Sequence, residues 1–188
     1  SPNFYRENFH RDSISKALDK CDPDDLILIS DADEIPNFDA INKNKIKKYA
    51  LLKQRNFYYK LNLQSENIWL GTSVCYKKYL KSPQWLRNLK IKKKPFWKIF
   101  NKNIQLINNG GWHFSFLKRP ESIKNKIISY SHQEYNTEEF TNTDLIEKKI
   151  SLGEDLFHRK INYKKITIDD SFPDYIVKNR EKFKDWIL

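Results

Sequence analysis

Ile14, Ala17, Leu18 and Cys21 fall at i, i+3, i+4 and i+7, which predicts an amphipathic helix over residues 7–20, broken by Cys21-Asp22-Pro23-Asp24. The period then changes. Leu26-Ile27-Leu28-Ile29 is continuously apolar, the pattern of a strand covered on both faces, and it reads as a central strand of a parallel sheet. A short helix is expected over residues 39–48, strands near 51–63 and 67–79, and a helix opened by Ser82-Pro83 that carries Leu86 and Leu89. Residues 96–100 and 105–107 read as strands. Asn108-Asn109-Gly110-Gly111 is the strongest turn signal, and strict alternation after it puts Trp112, Phe114 and Phe116 on one face and His113 with Ser115 on the other. Helices over 122–132, 145–152 and 174–183, with a strand at 165–168, complete the pattern. Strands interleaved with helices predict an α/β domain, a mixed sheet flanked by helices.

Composition narrows this picture little. A chain of 188 residues is long enough for one domain with a core, and 4 glycines and 7 prolines give no sign of a linker, so a single unit over residues 1–188 is expected. Lys and Arg number 35 against 24 Asp and Glu, a net charge of +11 that points to an anionic partner without choosing one. Abundant Lys, Asn and Ile with few Gly and Ala also fit a biased genome, and Lys92-Lys93-Lys94 reads as a solvated helix end. Cys21 and Cys75 have neither disulfide-framework nor metal-site spacing and read as small buried hydrophobes. No stretch approaches the roughly 18 apolar residues of a membrane span, no signal peptide opens the chain, and no cellular address can be read.

The chemistry gathers where the greasy strand ends, at Ser30-Asp31-Ala32-Asp33-Glu34-Ile35-Pro36. Ligands of open α/β sheets bind at the carboxyl ends of strands. On an extended chain Asp31 and Asp33 would share one side, and their repulsion calls for a cation, most simply a hard divalent metal. The plainer reading is an acidic turn closed by Pro36. His113 is the second candidate: beside two carboxylates, a neutral imidazole gives a nitrogen and oxygen site suited to Mn²⁺ or Mg²⁺, while Lys118 and Arg119 could hold the phosphate oxygens of a diphosphate. Its plainer reading is a half-buried strand histidine.

Several segments together resemble glycosyltransferase family 17: Tyr5-Arg6-Glu7-Asn8-Phe9-His10-Arg11-Asp12-Ser13-Ile14, Ile29-Ser30-Asp31-Ala32-Asp33-Glu34-Ile35-Pro36, Trp69-Leu70-Gly71-Thr72, Gly110-Gly111-Trp112-His113-Phe114-Ser115-Phe116, Ser129-Tyr130-Ser131-His132-Gln133-Glu134, and Phe172-Pro173-Asp174-Tyr175-Ile176-Val177-Lys178-Asn179. Their order and spacing cover nearly the whole chain. That family includes enzymes adding the bisecting N-acetylglucosamine to N-glycans. The resemblance implies a GT-A-like, Rossmann-like fold, a nucleotide-sugar donor such as UDP-N-acetylglucosamine, a glycan acceptor, and inversion. Nucleic acid is then not an expected partner. Animal members are Golgi-anchored, but that address does not transfer.

On that resemblance Asp31 and Asp33 hold the metal with His113 as third ligand, and Lys118, Arg119 and Arg11 contact the donor. Glu134 is the first choice of base, with Glu34 and Asp155 behind it, and Trp69, Tyr58 and Trp112 are the sugar-contacting aromatics. Only one helix precedes the acid-tipped strand, so either the front βαβ units of the nucleotide-binding part are expected to be missing or the fold is unusually short at its front. Two alternatives use the same features. Asp31-Ala32-Asp33 with Asp169-Asp170 approaches haloacid-dehalogenase-like phosphatases, and lysine runs with aromatics suit a non-catalytic nucleic-acid-binding module.

Overall fold

A computed structural model describes residues 2–89, 104–129 and 133–188. In chain order its helices and strands are α1 (Pro2–Asp12), β1 (Leu26–Ile29), β2 (Glu34–Pro36), β3 (Tyr49–Tyr58), β4 (Leu63–Ser65), β5 (Trp69–Tyr76), α2 (Pro83–Arg87), β6 (Ile104–Ile107), β7 (Gly111–Ser115), α3 (Pro120–Ser129), α4 (Glu138–Thr141), α5 (Thr143–Leu152), β8 (Tyr163–Lys165) and α6 (Asp174–Lys178). The protein is a mixed α/β chain. The strand expected over 96–100, the lysine run at 92–94 and the end of the helix expected to reach 132 lie outside the described residues.

Two compact units emerge, one of residues Ser1–Gln54 with Trp69–Gly111, the other of Arg55–Ile68 with Trp112–Leu188. Strand β3 lends residues 49–54 to the first and 55–58 to the second.

In the first unit the strand order is β1-β5-β3-β6, with β5 antiparallel to both β1 and β3, and β6 parallel to β3. The greasy strand therefore ends the row and pairs antiparallel, not at the centre of a parallel sheet. Its apolarity has another cause: Ile27 and Ile29 pack with Tyr49, Cys75 and Leu86, while Leu26 and Leu28 lie against Ala50, Leu52, Val74 and Ile107. Such a run reports two covered faces and is silent about the direction of its neighbour. Burial pushes the Cys75 thiol up to about 11, which suits an inert core residue.

The first helix departs from expectation in mid-course. Ser13 Oγ donates to the Phe9 carbonyl at 2.7 Å, a back-bond that competes with the α-helical ladder, and the chain tightens into a 3-10 turn over Ser13–Leu18. Ser82 does cap α2, accepting from the Trp85 N–H at 3.2 Å with Pro83 in the first turn. The expected helix over 39–48 is two 3-10 turns, Phe38–Ala40 and Lys43–Lys45.

In the second unit the order is β7-β3-β4-β8, with β7 parallel to β3 and β4 antiparallel to its neighbours β3 and β8. One core cluster joins Tyr58, Tyr59 and Phe116 to Ile123 and Ile127 of α3 and Ile146 and Ile150 of α5. Another joins Phe57, Phe114, Ile168, Phe172 and Ile176. The alternation expected through Phe116 stops at Ser115, because Phe116 turns to φ +53° and enters the first cluster, leaving Phe114 in the second. The strand expected at 165–168 pairs as β8 over Tyr163–Lys165 instead, and the closing helix becomes α6 followed by a 3-10 turn over Arg180–Trp186.

Candidate functional site

The acidic segment after β1 is a turn. Glu34 N–H donates to the Asp31 carbonyl at 3.0 Å, and the Glu34 carboxylate accepts from Asp31 N–H at 3.2 Å. The extended alternation that would set Asp31 and Asp33 side by side is absent, because this reciprocal pair of bonds folds the chain back on itself.

Around this turn the first unit builds a frame of guanidinium groups. Arg11 of α1 donates through Nη2 to Asp31 Oδ1 at 2.9 Å and through Nη1 to Gln84 Oε1 at 2.6 Å. Arg87 of α2 donates through Nη2 to Asp31 Oδ2 at 2.6 Å and to Glu34 Oε1 at 2.8 Å, and through Nη1 to the Gly71 carbonyl at 2.5 Å. Gln84 and Arg87 stand three residues apart on one helix face, and Asp12 docks that helix by accepting from Gln84 N–H at 3.0 Å. The two arginine side chains are 14% and 10% exposed, the Glu34 side chain 0%, and the Asp31 side chain 35%. The repulsion among carboxylates is thus relieved from within the chain, and Asp31 alone of the four keeps an edge toward solvent.

Glu34 is engaged on every side. Besides Arg87 it accepts from the Trp69 indole N–H at 2.8 Å and from the Thr72 hydroxyl at 3.4 Å. A carboxylate so enclosed positions Trp69 and Arg87 and does not reach an incoming hydroxyl. Trp69 is half-buried at the start of β5, its ring orientation fixed by that bond. Gly71 permits the close packing here, since a Cβ at this position would stand 1.7 Å from Gln54 Oε1.

The remaining candidates lie in the second unit. His113 is 5% exposed, and its Nδ1 meets Asn56 Oδ1 at 2.8 Å across the β3–β7 register. Trp112 is half-buried, and its indole N–H donates to the Ser171 carbonyl at 3.0 Å. Tyr58 is 7% exposed within the core, with the Arg159 guanidinium 5.0 Å from its ring centroid, and offers no open face to a sugar. Lys118 and Arg119 are exposed just beyond β7, and Glu134 is exposed in the 3-10 turn Gln133–Tyr135.

Asp155 is the hub of a buried knot. It accepts from Arg159 Nη2 at 2.6 Å, from the hydroxyls of Tyr163 at 2.8 Å and Tyr59 at 3.4 Å, and from the N–H groups of Arg159 and Phe157. Burial alone would raise its pKa, but the hydrogen bonds from Arg159 and Tyr163 and the adjacent charge prevail, holding the carboxyl below its ordinary range. Burial raises the Tyr59 and Tyr163 phenols. A carboxyl lowered in the folded state contributes its stabilisation fully above the ordinary value of 3.8 and loses it as pH falls further. Asp155→Asn is therefore expected to lower stability at pH 7 while making urea unfolding midpoints less steeply pH-dependent between pH 5 and about 2; parallel profiles for the variant and the parent would contradict this.

Among the described residues no three His, Cys, Asp or Glu side chains come together as a metal-holding group. The chemistry of the donors nonetheless suits a hard cation. Asp31 and Asp33 offer carboxylate oxygens on a partly exposed turn, and each Asp31 oxygen retains a lone-pair direction beyond its guanidinium bond.

Compared with protein-family models, residues 1–187 match the model of glycosyltransferase family 17. The chain belongs to glycosyltransferase family 17. Comparison with curated proteins finds no match, and neither does comparison with solved structures. Family 17 membership makes a sugar donor and an acceptor its partners, and favours transfer over phosphatase or nucleic-acid-binding alternatives. No described helix is long and apolar enough to cross a membrane. The frame also contains residues that the motifs did not announce. Arg87 and Gln84 sit on a helix whose start was legible from Ser82-Pro83, but an arginine in a last helical turn reads as an ordinary dipole partner.

Proposed function

We propose that this family 17 chain is a metal-dependent, inverting transferase of GT-A type that moves N-acetylglucosamine from UDP-N-acetylglucosamine to a glycan hydroxyl. The observation that carries the proposal is the braced acidic turn, in which Asp31 is fixed by two buried guanidinium groups yet keeps an exposed edge. Asp31 and Asp33 would hold Mn²⁺ or Mg²⁺, and a bound ion there would neutralise the charge that builds on departing UDP; His113, read from the sequence as the third ligand, forms no three-residue metal group with them.

The chain's own groups then have distinct tasks. Arg11 and Arg87 fix the rotamer of Asp31, so that no ordering of that ligand remains to be done on binding. Glu34 fixes the indole plane of Trp69, the kind of flat apolar surface on which a pyranose stacks. The exposed carboxylate of Glu134 takes the proton of the acceptor hydroxyl as its oxygen bonds to the anomeric carbon and the anomeric bond to UDP breaks.

Calorimetric titration with UDP tests this reading. Binding is expected in the presence of Mn²⁺ and to weaken at least tenfold with chelator; equal affinity in both would count against the metal, and no UDP binding at all would count against the donor.

A further inference from the structure

Within the second unit, the segment 166–168 that follows β8 and the residues 187–188 line one hollow of about 370 Å³. A single buried amide clasps these two walls. Asn62, 2% exposed, donates through Nδ2 to the Ile166 carbonyl at 3.2 Å and to the Leu188 carbonyl at 3.1 Å, and its Oδ1 accepts from the Leu188 N–H at 2.8 Å. The Ile166 N–H donates in turn to the Asn62 carbonyl at 3.0 Å. The hollow is therefore set by the fold, and little ordering of its walls is left for a ligand to impose.

The lining divides by chemistry. Ile166, Ile168, Ile187 and Leu188 supply aliphatic walls: Ile168 belongs to the core cluster of Phe57 and Phe172, and Ile166 and Ile187 are half-buried against it. Lys165 and Arg180 line the same hollow from exposed positions, and among the described residues neither has an ion-pair partner. Among the described residues the lining also holds no carboxylate side chain and no aromatic ring. The first absence leaves two cations to attract an anion. The second removes the flat surface on which a pyranose or a base would stack, so the apolar part of a ligand is aliphatic. A guanidinium fork matches a planar carboxylate with two parallel bonds, and the Thr167 hydroxyl at the same hollow is a further donor. The volume lies at the small end of the roughly 300–1,000 Å³ of ligand pockets, which suits a short chain.

We infer that this hollow is a binding site for a small aliphatic monocarboxylate, of the size of a medium-chain fatty acid, with Arg180 and Lys165 on its head and the four aliphatic side chains around its tail. The site lies wholly within the second unit and is independent of the transferase reading.

Calorimetry on the full chain with butyrate, hexanoate and octanoate, each below its micellar concentration, tests the site. Affinity is expected to rise along the series by about two- to fourfold per added methylene, as apolar surface leaves water. Arg180→Gln is expected to weaken octanoate by about tenfold or more, and Thr167→Trp to abolish its binding by filling the hollow. Both positions are exposed, so the fold is retained, which urea unfolding checks. 1-Octanol is expected to bind at least about tenfold more weakly than octanoate, because it brings no charge to the two cations; equal binding of the two would overturn the cationic head site. No saturable binding of octanoate by the parent protein, or binding that both variants leave unchanged, overturns the whole proposal. Octyl phosphate binding more tightly than octanoate would overturn the carboxylate as the head group.

Discussion

Arg87→Ala is expected to destabilise the first unit by roughly 3–5 kcal/mol, the cost of removing one partner from a buried ion pair. Arg87 lies only 10% exposed between Asp31 and Glu34, and the Glu34 side chain has no exposure at all. Without the guanidinium, Glu34 keeps bonds from Trp69, Thr72 and the Asp31 N–H but loses its buried countercharge. Asp31 fares better, since Arg11 still holds Oδ1 and water can reach its exposed edge. The penalty therefore belongs mainly to Glu34. This assigns an order to the variants: Arg87→Ala worst, Arg87→Lys intermediate because one ammonium cannot span both carboxylates and the Gly71 carbonyl, and Arg87→Ala/Glu34→Gln milder than Arg87→Ala alone. Urea unfolding followed by tryptophan fluorescence reads this directly, as Trp69 is bonded to Glu34. If the double variant were no more stable than Arg87→Ala, the buried charge would not be the cause.

What the sequence made legible follows from which interactions are local. The cap at Ser82-Pro83 and the turn at Asn108-Asn109-Gly110-Gly111 depend on neighbours a few residues away, and both appear where the pattern puts them. Gly111 adopts φ +125°, and a Cβ there would meet the Ile35 carbonyl oxygen at 2.1 Å, so the second glycine of the turn is required. The acid-tipped strand was visible as apolar, but its antiparallel pairing depends on β5, more than forty residues away, and leaves no trace in the run itself. Breaks in helices were missed for a similar reason. Periodicity registers which face is apolar, not that Ser13 will bond back to Phe9.

The candidate site divides the same way. Carboxylates at a strand end are conspicuous, so Asp31, Asp33 and Glu34 stood out together, yet their differing surroundings come from distant arginines. Arg87 is 56 residues from Asp31 and 53 from Glu34 in sequence. Tyr58 and Asp155 show the converse. An aromatic and an acid carry the same letters in a core knot as in a binding site, and only burial with Arg159, Tyr59 and Tyr163 separates the two.

The distinction between Asp31 and Asp33 yields the second large effect. If both aspartates hold the ion that secures a nucleotide diphosphate, alanine at either position is expected to abolish Mn²⁺-dependent UDP binding, a loss of at least a hundredfold in calorimetry. Their consequences for the fold should differ. Asp31→Ala deprives two largely buried guanidinium groups of a carboxylate, leaving Arg87 with Glu34 and Arg11 with Gln84, and is expected to cost about 1–3 kcal/mol in urea unfolding. Asp33→Ala leaves both guanidinium bonds of Asp31 in place and is expected to cost less in urea unfolding than Asp31→Ala. Asp33→Ala thus separates metal chemistry from architecture: a folded variant blind to Mn²⁺ and UDP supports the acidic turn as a metal site, whereas a variant that still binds UDP with Mn²⁺ would show that the guanidinium frame, and not a metal, meets the charge of these carboxylates.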